Sequence, residues 1–298
     1  MSTGKTIAVV GATGTQGRAV TAHLLAAGWA VTALTRDPGS PAAAEAFAGA
    51  HVVRADMADP RSLDAAFDGA HGVFSVQPTV GSPGTAPDFS AEEEVRWGAN
   101  VAEAAHRAGV AHLVYSSVGG AERHETEALP ANLVSKWRIE RRIAELGLPA
   151  TVLRPVSFME NYSGGYYLRD GALTTALAPD VAQQVLAVDD VGAFAALAFA
   201  APGEWIGREL ELAGDALTPV RVAGLIGGSL GIELPYVNIP VAALREFSEA
   251  GAVAHTWLNK RGYGADIAAV RALHPGLLDF PTWLARTGRA LIAAHLSG

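Results

Sequence analysis

Cysteine is absent from the 298 residues. This excludes disulfides, a thiol nucleophile and Cys-ligated zinc together. It fits the reducing cytoplasm, which is the expected location. Charge is also scarce: Asp, Glu, Lys and Arg make up 17% of the chain. Lys and Arg number 22 against 30 for Asp and Glu, giving a net charge of −8, and no basic run occurs. A direct nucleic-acid surface is therefore not expected. Long apolar runs are missing as well. No uninterrupted stretch of about 18 apolar residues is present to span a bilayer, so no membrane partner is expected. The start, MSTGKTIAVVGATG, lacks the apolar region of a signal peptide. What is plentiful is apolar side chains, at 50%. Over this length they supply one large domain with a smaller annex.

The first half alternates short apolar runs with helical patterns. Strands are predicted at 5–10, 30–36, 51–56, 71–77, 110–117 and 149–155. Helices are predicted at 15–28, 41–49, 59–69, 91–109 and 131–147. The strands are apolar throughout rather than on alternate residues, as in a parallel sheet covered on both faces. The fold class expected is α/β, a doubly wound parallel sheet of the Rossmann type with a smaller, mostly helical C-terminal substrate domain. The sheet domain is assigned to 1–155 and 181–214, and the cap to 156–180 and 215–298. PTVGSPGTAPDFS (78–90) reads as a mobile Pro/Gly-rich rim.

The segment VVGATGTQGRAV places Gly11, Gly14 and Gly17 between a strand and a helix. Gly11 suits a tight turn. Gly14 lets a pyrophosphate approach the backbone, and Gly17 lets the helix pack close to the strand. The helix N-terminus then offers unpaired N–H groups to the anion. Thr13, Thr15 and Gln16 add polar atoms at that rim. The second strand ends in LTRD. Arg36 there suits the 2′-phosphate of NADP, whereas Asp37 can serve the ribose of NAD, so NADP(H) is expected ahead of NAD(H). Asp56 and Met57, after the third strand, are expected to border the adenine; the other reading of Asp56 is a turn residue. In VDDVGAFAALAFA, one of Asp189 and Asp190 is expected to cap the helix. HETE lacks the second His of a zinc helix, and no metal is expected.

GATGTQG, TRDP, YSSVGGAE, SKWRIE, LRPVSFMENY and VDDVGAFAALAF, in that order, resemble the NmrA-like family, an atypical branch of the short-chain dehydrogenase/reductase class. The resemblance covers essentially the whole chain and is strongest over 5–200. It implies a Rossmann fold, a small C-terminal domain and NADP(H). Some members are reductases, some resemble quinone reductases, and others bind the dinucleotide as redox sensors that regulate transcription or other proteins. By position, it implies that Gly11 to Gly17 hold the pyrophosphate and Arg36 the 2′-phosphate. Lys136 would bond the nicotinamide ribose. Phe158, Met159, Glu160 and Asn161 would line the nicotinamide end, with Gln77 facing the same crevice.

One departure matters. Tyrosine-dependent relatives carry a Tyr four residues before the Lys, one helical turn away, whose phenol gives up a proton. Here that position is Asn132, whose amide cannot do so near neutral pH. Three routes to turnover remain. Lys136 can act as the acid, or a Tyr from 162, 166 or 167 can reach in. Otherwise the acceptor is quinone-like and takes protons from water. Ser117 is a further candidate, bonding a substrate oxygen, and His124 lies on a loop nearby. The expected function is hydride transfer to a small, for instance quinone-like, acceptor; the alternative is an NADP(H) sensor acting on a protein partner.

Overall fold

A computed structural model describes residues 4–40, 43, 47–80, 85, 86, 88–127 and 129–297. Most of the predicted helix 41–49 and part of the rim 78–90 lie outside the described residues. The chain forms two compact units. The first comprises Met1–Ala121, Ala131–Arg154 and Val191–Leu210; the second comprises Glu122–Pro130, Pro155–Asp190 and Glu211–Gly298.

The first unit is built on β1 (Thr6–Val9), β2 (Ala30–Thr35), β3 (His51–Arg54), β4 (Gly72–Ser75), β5 (His112–Ser116) and β6 (Ala150–Pro155). These strands pair parallel. With β11 (Glu209–Leu212), the order across the seven-stranded sheet is β11-β6-β5-β4-β1-β2-β3. Strand order therefore reverses between β1 and β4, and in such sheets ligands bind outside the carboxyl ends at that point.

Helices α1 (Thr15–Ala26), α2 (Pro60–Phe67), α3 (Ala91–Ala108), α4 (Ala131–Glu145) and α5 (Val188–Ala200) follow the strands. Their starts are written in the chain. Asp59 accepts the Arg61 N–H ahead of Pro60, and Ser90 with Glu93 forms a capping box on α3. Gly109 ends α3 in the left-handed region at φ 63°. The core between sheet and helices gathers Val10, Leu63, Phe67, Val73, Val101, Leu113, Tyr115 and Ile139, all buried.

The second unit holds two small sheets. Strands β7 (Ser157–Phe158), β10 (Gln183–Leu186) and β12 (Asp215–Leu217) form one, in the order β12-β10-β7. Strands β8 (Leu168–Arg169), β9 (Ala172–Thr175) and β13 (Tyr236–Asn238) form the other, in the order β13-β9-β8. The segment 181–214 was assigned to the sheet domain. Its strand β10 pairs instead with β7 and β12, because the apolar residues from 185 onward do not encode their partner. Helices include α6 (Pro219–Leu230), α7 (Val241–Phe247) and α8 (Glu249–Lys260). Met159, Tyr162, Tyr167, Leu173, Val222, Phe280 and Trp283 make the core. Asp189 and Asp190 lie inside the first turn of α5 rather than before it. The Asp190 carboxylate accepts the Leu278 N–H at 3.2 Å and faces His274 Nε2 at 3.7 Å. No helix among the described residues is long and apolar enough to cross a membrane.

Candidate dinucleotide site

The turn from β1 into α1 is closed by glycine. Gly11 has φ 71°, and a Cβ on it would lie 2.8 Å from Val76 Cγ1 and 2.9 Å from Val76 O. This brings the turn against the carboxyl end of β4. A Cβ on Gly17 would lie 2.2 Å from Gly11 O, so helix and turn touch through backbone alone. Gly14 differs: the nearest atom to its added Cβ is Gly11 O, at 3.4 Å. The protein leaves room at Gly14 and none at Gly17.

Gly14 is also the N-cap of α1 and supplies no side-chain cap. The first N–H groups of a helix have no intrahelical partner, so these are left to bind an anion. Thr13 and Thr15 are exposed beside them. Gln16 Oε1 accepts Ser116 Oγ–H at 2.7 Å, tying the rim to the end of β5.

At the end of β2, Arg36 is exposed and has no hydrogen bond or ion pair among the described residues. Asp37 is engaged: its Oδ1 accepts the Gly39 N–H at 3.1 Å. After β3, Asp56 Oδ1 accepts the Ala58 N–H at 2.9 Å, which is the turn role weighed above. Met57 is half-buried. Its carbonyl accepts Asn100 Nδ2–H at 2.9 Å, and its Sδ lies 4.0 Å from Gln77 Nε2. Gln77 is buried; its Nε2 donates to Ser75 Oγ at 3.0 Å. Gln77 Oε1 is buried without a partner among the described residues. An open helix end, space at Gly14, an unpaired guanidinium and an orphaned amide carbonyl suit a phosphorylated dinucleotide.

Lys136 is buried on α4. Its Nζ donates to Thr79 Oγ1 at 2.6 Å and forms an ion pair with Glu94 Oε1. Thr79 lies four residues beyond the last residue of β4, on the crevice side of the sheet. Ser117 is buried too, and its hydroxyl donates to Glu140. Glu140 also receives Arg154 Nε at 3.1 Å and Nη2 at 2.7 Å. Burial raises the Glu140 carboxyl above the usual carboxylate range, and Arg154 opposes that rise. Ser117 is thus committed to a buried ion pair. Asn132, Lys136 and Glu140 follow at four-residue steps along α4. Where a proton-donating phenol was looked for, this row carries an amide, a paired ammonium and a paired carboxylate.

In the second unit, Phe158 belongs to β7 and is half-buried. Met159 is fully buried in that unit's core. Glu160 accepts the Val188 N–H at 3.1 Å and Trp283 Nε1–H at 3.0 Å, so its carboxylate caps the start of α5. Burial raises its pKa. Asn161 Nδ2 donates to Ser157 Oγ at 3.2 Å. Tyr162 and Tyr167 are buried, at 1% and 5% exposure, and burial pushes both phenols up. Neither is a ready acid; Tyr166, 61% exposed, stays accessible. His124 is exposed.

Glu94 escaped the sequence reading. AEEEVRWGAN looks like a solvated helix face, yet 94, 98, 101 and 105 share one stripe with Gly98, Val101 and Ala105, and all are buried. That periodicity was the available signal.

The profile of the NmrA-like family matches residues 3–273. The NmrA-like family domain-containing oxidoreductase FrzB of Cladobotryum sp. is 36% identical over 167 residues; the match covers 52% of this chain but 47% of that protein. The aligned part thus spans about half the length of that curated relative. The nitrogen metabolite repression protein nmrA of Emericella nidulans is 27% identical over 256 residues, covering 81% of this chain and 70% of that protein. Among solved structures, the NADPH-dependent quinone oxidoreductase QOR2 of Escherichia coli, complexed with NADPH, superposes with a TM-score of 0.75 at 26% identity, covering 98% of this chain and all of that one. With the family profile running through both units and the glycine turn built as described, this chain belongs to the NmrA-like family.

Proposed function

We propose that the chain binds NADP(H) at the carboxyl edge of the seven-stranded sheet and transfers a hydride to a small, quinone-like acceptor. The observation that carries the cofactor reading is the contrast at the end of β2. Among the described residues Arg36 is unpaired, while Asp37, the residue that would serve NAD, is bound to its own turn. In this reading Gly11, Thr13, Gly14, Thr15, Gln16 and Gly17 hold the pyrophosphate. Asp56, Met57 and Gln77 border the adenine side and the crevice. Lys136 meets the nicotinamide ribose. The family resemblance assigns Phe158, Met159, Glu160 and Asn161 to the nicotinamide end; within the second unit Met159 packs in the core and Glu160 caps the start of α5.

When bound, the dinucleotide supplies the hydride. The chain's own residues align donor and acceptor rather than deliver a proton, because Asn132, the Lys136–Glu94 pair and the Ser117–Glu140 bond offer no ready acid. A quinone-like acceptor suits that inventory: it takes one hydride, carrying both electrons, and the resulting hydroquinone anion takes a single proton from water. The names of FrzB and QOR2 support the oxidoreductase reading.

A second reading is an NADP(H) sensor that regulates a protein partner. Asn132 and the likeness to the repression protein nmrA favour it. A panel of quinones and aldehydes with NADPH, followed at 340 nm, separates the two. The enzyme reading expects oxidation with quinones and little with aldehydes. Tight NADPH binding with no oxidation above background for any acceptor contradicts it and supports the sensor.

A further inference from the structure

We infer that Glu94 is a positioning residue for the dinucleotide, acting through Lys136. Three observations lead there. Glu94 is 0% exposed, yet both its oxygens are used: Oε1 by Lys136 and Oε2 by Ser135 Oγ–H at 2.8 Å. A carboxylate so deep in a helix–helix seam is costly unless paired, and Lys136 is its counter-ion. Next, the seam is closely packed. One turn beyond Glu94, a Cβ on Gly98 would lie 2.4 Å from Ile139 Cδ1, so α3 and α4 approach through a missing side chain. That fixes the height of Glu94 against Ser135 and Lys136.

Finally, an ammonium has three N–H donors. Glu94 and Thr79 take two, and the Lys136 side chain keeps 10% exposure. The remaining donor is aimed by the other two bonds. Among the described residues Lys136 has no third acceptor, and its partner Thr79 follows β4, whose carboxyl end borders the glycine turn. Glu94 thus holds the charge and Thr79 sets the angle. Together they turn a flexible lysine into a fixed donor for a hydroxyl of the bound dinucleotide, distant from the 2′-phosphate that Arg36 addresses.

This rests on the dinucleotide reading above, and the test separates the two. Binding of NADPH and of adenosine 2′,5′-bisphosphate, a fragment lacking the nicotinamide half, is measured by calorimetry for wild type, Glu94→Gln and Glu94→Asp. Glu94→Gln should weaken NADPH by about tenfold while leaving the fragment unchanged, since one charge-assisted bond loses its orientation. Glu94→Asp, which keeps the charge, should recover most of the loss. A variant that bound both compounds as wild type does, or lost both equally, would overturn the inference. Should Glu94→Gln not fold, Lys136→Met and its charge-balanced pair with Glu94→Gln carry the test: Glu94 acts through Lys136 if both lose NADPH selectively and to the same extent, whereas wild-type affinity in either, or a further loss in the pair, overturns the proposal. Failure of wild type to bind either compound instead overturns the dinucleotide reading itself.

Discussion

Gly17→Ala should weaken dinucleotide binding severely and destabilise the first unit, whereas Gly14→Ala should impair binding alone. An alanine methyl at 17 would sit 2.2 Å from Gly11 O and 2.6 Å from Ala12 Cα, both backbone atoms that cannot step aside. The start of α1 must then lift off β1. Such overpacking costs about 1–3 kcal/mol in stability. It also breaks the array of N–H groups, so NADPH affinity should fall by about a hundredfold or more, close to 3 kcal/mol. At Gly14 the geometry is permissive: φ is −78°, and the nearest atom to the added methyl is at 3.4 Å. Thermal unfolding should move little, within about 1 kcal/mol. The methyl would instead fill the space offered to the pyrophosphate. Unfolding curves and NADPH titrations of the two variants give the comparison. Equal melting temperatures, or unimpaired binding in Gly14→Ala, would refute the assignment of roles.

Arg154→Met should be among the most destabilising single changes in the first unit, at about 3–5 kcal/mol, because it strands a buried carboxylate. Arg154 is 5% exposed and reaches Glu140 with two nitrogens; its Nη2 also meets Glu209 at 2.6 Å. Without it, Glu140 keeps Ser117 as its partner, and burial drives its carboxyl further above the usual range. The pH dependence follows. A carboxyl whose folded pKa lies above its unfolded value binds the extra proton in the folded state, so its contribution favours folding at low pH and is lost as pH rises through the folded value. The deficit of Arg154→Met, measured by urea unfolding, should therefore be larger at about pH 8 than at about pH 5. Adding Glu140→Gln should recover much of it. A deficit independent of pH would show that lost packing against Trp137, over whose ring the guanidinium lies at 5.9 Å, dominates instead.

These two sites mark the reach of the sequence. The glycine turn was legible because its three positions answer to local rules: a strand, a tight turn and an open helix end within twelve residues. Strands β1 to β6 and helices α1 to α4 announced themselves through apolar runs, caps and glycine stops. The Arg154–Glu140–Ser117 cluster and the Glu94–Lys136 pair did not, since their members stand 14 to 42 residues apart and meet only after helices pack on the sheet. The same limit misassigned β10, placed with 181–214 in the sheet domain, since the apolar stretch from 185 onward fits either sheet. Tyr162 and Tyr167 looked like available acids in a Tyr-rich segment, yet tyrosine is amphipathic, and here the rings fill the second unit's core.

The account turns on a phosphorylated dinucleotide held by bare backbone amides and by Arg36. Titrating wild type and Arg36→Ala with NADPH, NADP, NADH and NAD tests this most directly. The account predicts that the phosphorylated pair binds wild type about ten- to a hundredfold tighter, as one or two charge-assisted bonds to a phosphate require, and that Arg36→Ala erases most of the difference. Binding of none of the four, or equal binding of all four that Arg36→Ala leaves unchanged, would contradict it.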